Sequence, residues 1–291
     1  MTAQPTYDRR TTLARPDFAA EALRGRIDAP RYGAGERRRV VETAAALRPE
    51  PDFATSIDTE AVFGEIFTVY DELEGWAWGQ LERDGYVGWL SANALSAPAA
   101  DAAYAPTHVI RALRSFVYPV PSIKAPPTMA LTFGSAIAVA GTNGAFLALR
   151  DWGFVFAAHA APIDLAEHDP VAVAERFLGV PYLWGGRTSL GLDCSALVQT
   201  ALQACGIACP RDSDMQEKAL GEALDPATPL AALRRGDLLF WKGHVALVRD
   251  ADTMIHATGH SMTVMVEGLA EGIARIAAAG SPLWTIRRIG R

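Results

Sequence analysis

The chain has little cysteine: three residues in 291, at Cys194, Cys205 and Cys209. So small and odd a set excludes a disulfide-stapled secreted scaffold. There is no excess of positive charge either. Lys and Arg number 27 against 33 Asp and Glu, a net charge of −6, which argues against generic binding to nucleic acid or an anionic membrane. No apolar run approaches the ~18–20 residues of a membrane span. The first residues lack a short basic stretch followed by an apolar core, so no secretory signal is predicted, and the unpaired cysteines fit a reducing cytoplasm. Cys205 and Cys209 are spaced like half a metal site. No second Cys/His pair lies nearby, so neither a metal nor another cofactor is expected.

What is present is an ordinary globular composition, 50% hydrophobic and 21% charged, long enough for two or three domains. Residues 1–35 hold six arginines, several prolines and few periodic apolar positions. They read as an irregular surface arm packed along the next domain, with an Arg-rich transit peptide as a minor alternative weakened by Asp8, Asp17, Glu21 and Asp28. Residues 36–97 read as short strands at 40–44, 65–70, 76–81 and 86–90, the last two joined by an Asp84-Gly85 turn. Short strands and tight turns in ~60 residues predict a small barrel. Residues 107–160 repeat the outline more faintly, with strands at 138–140 and 145–149 around Thr142-Asn143-Gly144. They read as a second, divergent barrel, or as the remainder of one larger β domain. Residues 97–101 would be the linker.

From 168 to 291 the pattern changes. Asp169 caps a helix that begins at Pro170 and stops at Gly179. Cys194, Leu197, Val198, Ala201, Leu202 and Cys205 recur at the spacing of one helix face, with Asp193 as N-cap. Residues 238–241, 244–248, 254–257 and 262–266 read as successive strands, followed by a helix over 267–278 and a strand over 284–289. A cysteine in the first turn of a helix, packed on an antiparallel sheet carrying histidines, is a papain-like α+β layout.

A cysteine hydrolase needs a thiolate, an imidazole, a group that orients the imidazole, and oxyanion donors. Helix-terminal N–H groups favour the thiolate at Cys194. His244 opens a strand directly after Gly243 and is the candidate base and acid. His256, on the neighbouring strand, is the candidate cross-strand partner that orients it. The backbone N–H of Cys194 is the candidate oxyanion donor. His108, His159, His168 and His260 lack this strand context.

Along the chain, Val62-Phe63-Gly64-Glu65, Gly75-Trp76-Ala77 and Asp84-Gly85-Tyr86-Val87-Gly88-Trp89-Leu90 resemble a bacterial SH3 (SH3b) domain. Pro181-Tyr182-Leu183-Trp184-Gly185-Gly186, Leu192-Asp193-Cys194-Ser195, Pro210-Arg211-Asp212-Ser213, Arg235-Gly236-Asp237, Gly243-His244-Val245 and Ile255-His256-Ala257 are similar to the ordered motifs of NlpC/P60 cysteine peptidases. Arg235 replaces a more usual proline and Ala246 a common glycine; neither removes a reacting group. The resemblance implies two SH3b-like barrels ahead of a papain-like catalytic domain, with Cys194, His244 and His256 as a triad and no cofactor. It also implies hydrolysis between D-γ-glutamate and a diamino acid in short cell-wall (murein) peptides.

Asp193 and Asp212 bracket the nucleophile and are candidate partners for a free substrate ammonium group, or else simply an N-cap and a loop acid. Ser195, Ser213 and Tyr182 are candidate hydrogen-bonding partners. In relatives built this way the first SH3b domain helps restrict entry to short peptides; Tyr86 and either Glu60 or Glu65 are its candidates here. Trp76, Trp78 and Trp89 read as barrel core. With no secretion signal, these features suggest recycling of murein peptides in the cytoplasm, with neither nucleic acid nor membrane as partner. Two rival readings are a cysteine amidase or acyltransferase on the same fold, and a non-catalytic cell-wall-binding SH3b protein.

Overall fold

A computed structural model of the chain describes residues 7–98 and 104–290. Residues 99–101 of the expected linker, and the first six residues of the arm, lie outside that description. The chain divides between Ile163 and Asp164 into two compact units.

In the first unit, residues 36–97 form a four-stranded antiparallel sheet in the order Glu36–Arg39, Ile66–Leu73, Trp76–Leu81, Val87–Ser91, with a separate pair Ala44–Leu47 and Thr59–Val62. The expected first strand at 40–44 is displaced. Strand pairing stops at Arg39, Val40 makes only an isolated bridge to Leu95, and the next strand starts at Ala44. Leu47, Phe67, Leu81 and Leu90 fill the interior. Alternation along Trp76–Leu81 sends Ala77 and Leu81 inward and Trp76 and Trp78 to the opposite face.

That opposite face is where the arm packs. It is not irregular: Ala14–Arg15, Phe18–Ala20 and Arg31–Gly33 make a three-stranded sheet. Phe18 joins Trp76, Trp78, Val87 and Trp89 in a cluster distinct from the interior one. The Arg15 guanidinium lies 4.8 and 4.7 Å from the ring centroids of Trp78 and Trp89, a cation–π arrangement, and pairs with Asp17 and Asp71. Trp78 and Trp89 are therefore covered by the arm on the outside of the sheet, and Trp76 on that same face meets Phe53.

Residues 107–162 form a five-stranded sheet, ordered Met129–Thr132, Arg114–Tyr118, Phe154–Phe156, Phe146–Leu149, Val139–Asn143, and a three-stranded one around His108–Ile110. Their core of Ile110, Val117, Leu131, Ile137, Leu147 and Val155 takes in Phe63 from the preceding sequence. Ala136 N–H donates to the Phe63 carbonyl (2.9 Å), and Thr43 Oγ1 donates to the Ala130 carbonyl (2.8 Å). Gly64 makes this approach possible. Its φ is +84°, and a Cβ there would fall 1.9 Å from the Ala136 oxygen, so no other residue fits without moving the backbone.

The second unit begins with α1 (Pro170–Glu175), capped by Asp169 Oδ1, which accepts from the N–H groups of Val171 and Ala172. Then come α2 (Cys194–Ala204) and α3 (Ser213–Ala219). A six-stranded sheet follows, built from β1 (Glu222–Leu224), β2 (Leu238–Trp241), β3 (His244–Val248), β4 (Thr253–Thr258), β5 (Thr263–Gly268) and β6 (Thr285–Arg288), in the order β1-β6-β2-β3-β4-β5. α4 (Leu269–Ala278) joins β5 to β6. α1 and α2 pack together, and α2 also packs on β3 and β4. β2 and β3 have the bounds their apolar runs predict. The helix expected from residue 267 starts instead at Leu269, which leaves Glu267 on strand β5.

Candidate active site

Asp193 holds the start of α2. Its carboxylate accepts from the N–H of Ala196 (2.8 Å), the N–H of Gly185 (3.0 Å) and the hydroxyl of Ser195 (3.1 Å). The Arg211 guanidinium donates to both its oxygens, at 2.9 and 2.7 Å, and also to Ser195 Oγ. Arg211 is 1% exposed, the largest fully buried side chain among the described residues. A bidentate pair of this kind is the geometry in which buried opposite charges offset their desolvation. Gln216 of α3 is also buried and donates to the carbonyls of Ser195, Pro210 and Arg211. It thereby ties α3, with Asp212 at its N-cap position and Ser213 as its first residue, to the start of α2.

Cys194 stands at the N-terminus of α2, 6% exposed. The backbone N–H groups of Val245 and Ser195 lie close enough to its sulfur to pull the thiol pKa down, and Val245 directly follows His244. As the first helical residue, its own N–H has no carbonyl one turn back to bind. Tyr182 stands close enough that Cys194 and Asp193 add to the upward pull of burial on its phenol pKa.

The helix terminus favours a thiolate by no more than about 2 kcal/mol. Burial works against it and, helped by the Asp193 charge, pushes the thiol up to about 12. Burial likewise pushes His244 down to about 3, with the nearby His256 acting in the same direction. Burial of both groups thus favours the neutral thiol and the neutral imidazole, against the pull of the helix terminus toward a thiolate.

His244 and His256 are brought together. β3 and β4 pair Leu247 with Ile255 and Val248 with Met254. Extending that register puts His256 opposite Ala246, so the two histidines are diagonal rather than directly opposite neighbours. Their rings still meet: His244 Nε2 and His256 Nδ1 are 2.9 Å apart. Nδ1 is then the His244 nitrogen left for the thiol. Trp241 lies against His244, with ring centroids 5.5 Å apart. His256 is fully buried, and burial pushes it down to about 4, opposed in part by Glu267.

Behind His256 stand two residues that the sequence did not single out. Glu267 Oε2 is 3.2 Å from His256 Nε2, close but off the line of the N–H. Both Glu267 oxygens accept from Arg275, each at 2.7 Å. Arg211 and Gln216 were missed in the same way. A single Arg or Gln has no pattern of its own, although Arg211 stands inside a motif already noted for Asp212 and Ser213.

The remaining candidates lie in the first unit. Tyr86 is 2% exposed and belongs to the interior cluster of residues 36–97. Glu65 accepts from the N–H of Val62 and from Arg83, both at 2.9 Å. Glu60 is half-buried, opposite Ala46 in the Thr59–Val62 pair. Among the described residues, no group of three or more His, Cys, Asp or Glu could hold a metal ion, and no helix is long and apolar enough to cross a membrane.

Comparison with known proteins matches residues 179–278 to the NlpC/P60 family and residues 47–95 to the bacterial dipeptidyl-peptidase Sh3 domain. A gamma-D-glutamyl-L-lysine dipeptidyl-peptidase of Bacillus cereus is 28% identical over 232 residues, covering 70% of this chain and 68% of that protein. Dipeptidyl-peptidase 6 of Lysinibacillus sphaericus is 27% identical over 256 residues, 80% of this chain and 91% of that one. The crystal structure of an NlpC/P60 family protein from Bacillus cereus superposes with a TM-score of 0.72 at 21% identity, over 87% of this chain and 99% of that one, which shows a shared fold.

Proposed function

Because the chain carries an NlpC/P60 domain behind an SH3 domain of the bacterial dipeptidyl-peptidase type, we propose that it is a cysteine peptidase that hydrolyses the bond between γ-D-glutamate and a diamino acid. The substrate is a short murein peptide with a free N-terminal L-alanine. The observation that carries this reading is the hydrogen-bonded His244–His256 pair, carried by strands that pack against the helix headed by Cys194.

In this reading the Cys194 thiol gives its proton to His244 Nδ1 as sulfur attacks the γ-carbonyl carbon. The tetrahedral oxyanion forms beside the Cys194 N–H, where a donor acts most strongly on the developing charge. As the C–N bond breaks, His244 passes the proton to the leaving amine. Water, deprotonated by His244, then cleaves the thioester and releases L-Ala-γ-D-Glu with the thiol restored. His256 orients His244 throughout and steadies its charged form. Tyr182, Asp193, Ser195, Asp212 and Ser213 are assigned to substrate recognition. Asp193 can serve there only while keeping its pair with Arg211. A recycling role in the cytoplasm is proposed with this substrate, in keeping with three cysteines that form no disulfide.

The domain reading proposed with it is an arm at 1–35, SH3b-like barrels at 36–97 and 107–160, and a catalytic domain at 168–291. The second barrel is supported by a repeated turn: Phe63-Gly64 and Phe133-Gly134 both follow a strand, with glycine φ of +84° and +86°.

The test is mass spectrometry of products from L-Ala-γ-D-Glu-meso-diaminopimelate, from its N-acetylated form and from intact crosslinked sacculi. The expected result is release of the L-Ala-γ-D-Glu dipeptide from the free-amine peptide alone. Equal cleavage of the acetylated peptide would remove amine recognition. Efficient digestion of sacculi would contradict the recycling role. No cleavage of any substrate would favour the amidase or binding-protein readings.

A further inference from the structure

Resting on the reading of Cys194 and His244 as nucleophile and base, we propose that Glu267, held by Arg275, is a positioning residue that sets the tautomers of both histidines. The chain of contacts leaves one consistent assignment. For His244 Nδ1 to accept the thiol proton, the neutral ring must carry its hydrogen on Nε2. That hydrogen points at His256 Nδ1, 2.9 Å away, so His256 Nδ1 must be the bare nitrogen. The His256 hydrogen is then on Nε2, which faces Glu267 Oε2 at 3.2 Å. A carboxylate only accepts. It therefore favours this tautomer of His256, and through it the productive tautomer of His244.

The fold places Glu267 for this role. β4 and β5 pair His256 with Met265 and Met254 with Glu267. Two residues along a strand, Glu267 projects on the same face as Met265 and hence as His256. Arg275, one helix-borne fork, takes both carboxylate oxygens at 2.7 Å and fixes the group's plane. Gly272 of α4 makes room: a Cβ there would fall 2.9 Å from Glu267 Oε2 and 2.1 Å from Met254 Cε. Because Arg275 also matches the Glu267 charge, the carboxylate directs the hydrogen without drawing a full charge onto His256.

Replacing Glu267 by Gln keeps the shape but offers an amide that can turn its NH₂ toward His256 Nε2. That stabilises the hydrogen on His256 Nδ1 and, in turn, on His244 Nδ1, where it blocks the thiol. Removing an acceptor that holds a histidine tautomer, one link further from the reacting atoms, predicts a fall in kcat of about 10–100-fold, with KM within about twofold.

The experiment reads tautomers as well as rates. Long-range proton–nitrogen NMR of the six histidine rings, assigned by single substitutions in the full chain, is recorded on the parent and on Glu267→Gln. Both His244 and His256 are expected as Nε2–H in the parent, with the variant moving toward Nδ1–H and losing kcat as stated. A hydrogen on Nδ1 of either histidine in the parent overturns the proposal. So does a variant with unchanged tautomers, whether or not its kcat falls, because a merely structural role gives that result. If the variant does not fold, the parent tautomers decide alone. A parent that cleaves no murein peptide fails the functional reading, while its tautomers still decide this one.

Discussion

Two polar arrangements flank Cys194, and they are built in opposite ways. On the helix side, Asp193, Ser195, Arg211 and Gln216 form a closed cluster in which each Asp193 oxygen has at least two donors. On the strand side, His244, His256, Glu267 and Arg275 form a line in which each group meets the next through one face. In the closed cluster the Asp193 oxygens accept from fixed N–H and O–H donors on several sides. The line has two neutral imidazoles, each able to exchange a hydrogen between its nitrogens. The difference separates holding the nucleophile from moving its proton, and each side can be attacked independently.

The largest expected effect is on the reacting groups. Cys194→Ala or His244→Ala should lower kcat/KM by at least about 10⁴-fold, as loss of a nucleophile or its base does in other acyl-transfer enzymes, with the chemical denaturation midpoint nearly unchanged. Next, Arg211→Met should leave the Asp193 charge buried without its partner, at a cost of about 3–5 kcal/mol in unfolding free energy. Adding Asp193→Asn should restore part of that loss. A double variant no more stable than Arg211→Met would mean that the cluster is not acting through charge matching. On the strand side, Gly272→Ala should displace the ends of the Met254 and Glu267 side chains and lower kcat by less than Glu267→Gln does, about two- to tenfold by analogy with other outer-contact losses. A Gly272→Ala chain with the parent's kcat would show that Glu267 tolerates displacement.

The smallest effect, but the most diagnostic, concerns pH. With the thiol pushed up to about 12 and His244 down to about 3, the reactive thiolate is the minor form at every pH between those values. Its fraction rises tenfold for each pH unit gained. The rate of Cys194 alkylation by iodoacetamide should therefore climb steadily from pH 6 to 9. A rate that levels off near pH 5 would mean that a thiolate–imidazolium pair is already formed.

Sequence patterns disclosed the parts of the site that are local. The apolar runs at Leu238–Trp241 and His244–Val248 are continuous and end at a Lys242-Gly243 turn, so both strands and the placement of His244 follow directly. The spacing from Cys194 to Cys205 fixes α2 to within its last residue, since Cys205 is the C-cap. What could not be read was every partner brought from a distance. Arg211 is 18 residues from Asp193, and an isolated arginine in sequence reads as a solvated side chain. Glu267 reads as a helix-starting acid; two more residues of strand pairing change its face and its neighbours. Arg15 and Phe18 fail to show for the same reason. Their cover for Trp78 and Trp89 depends on a sheet formed by the arm, whose strands are two or three residues long and too short to show a period.

The most direct measurement is intact-protein mass spectrometry after acid quench during turnover of L-Ala-γ-D-Glu-meso-diaminopimelate. The mechanism predicts an adduct with the mass of L-Ala-γ-D-Glu less water, mapped to the peptide containing Cys194, with neither adduct nor turnover in Cys194→Ala. Turnover by Cys194→Ala, or an adduct on any other residue, would contradict it.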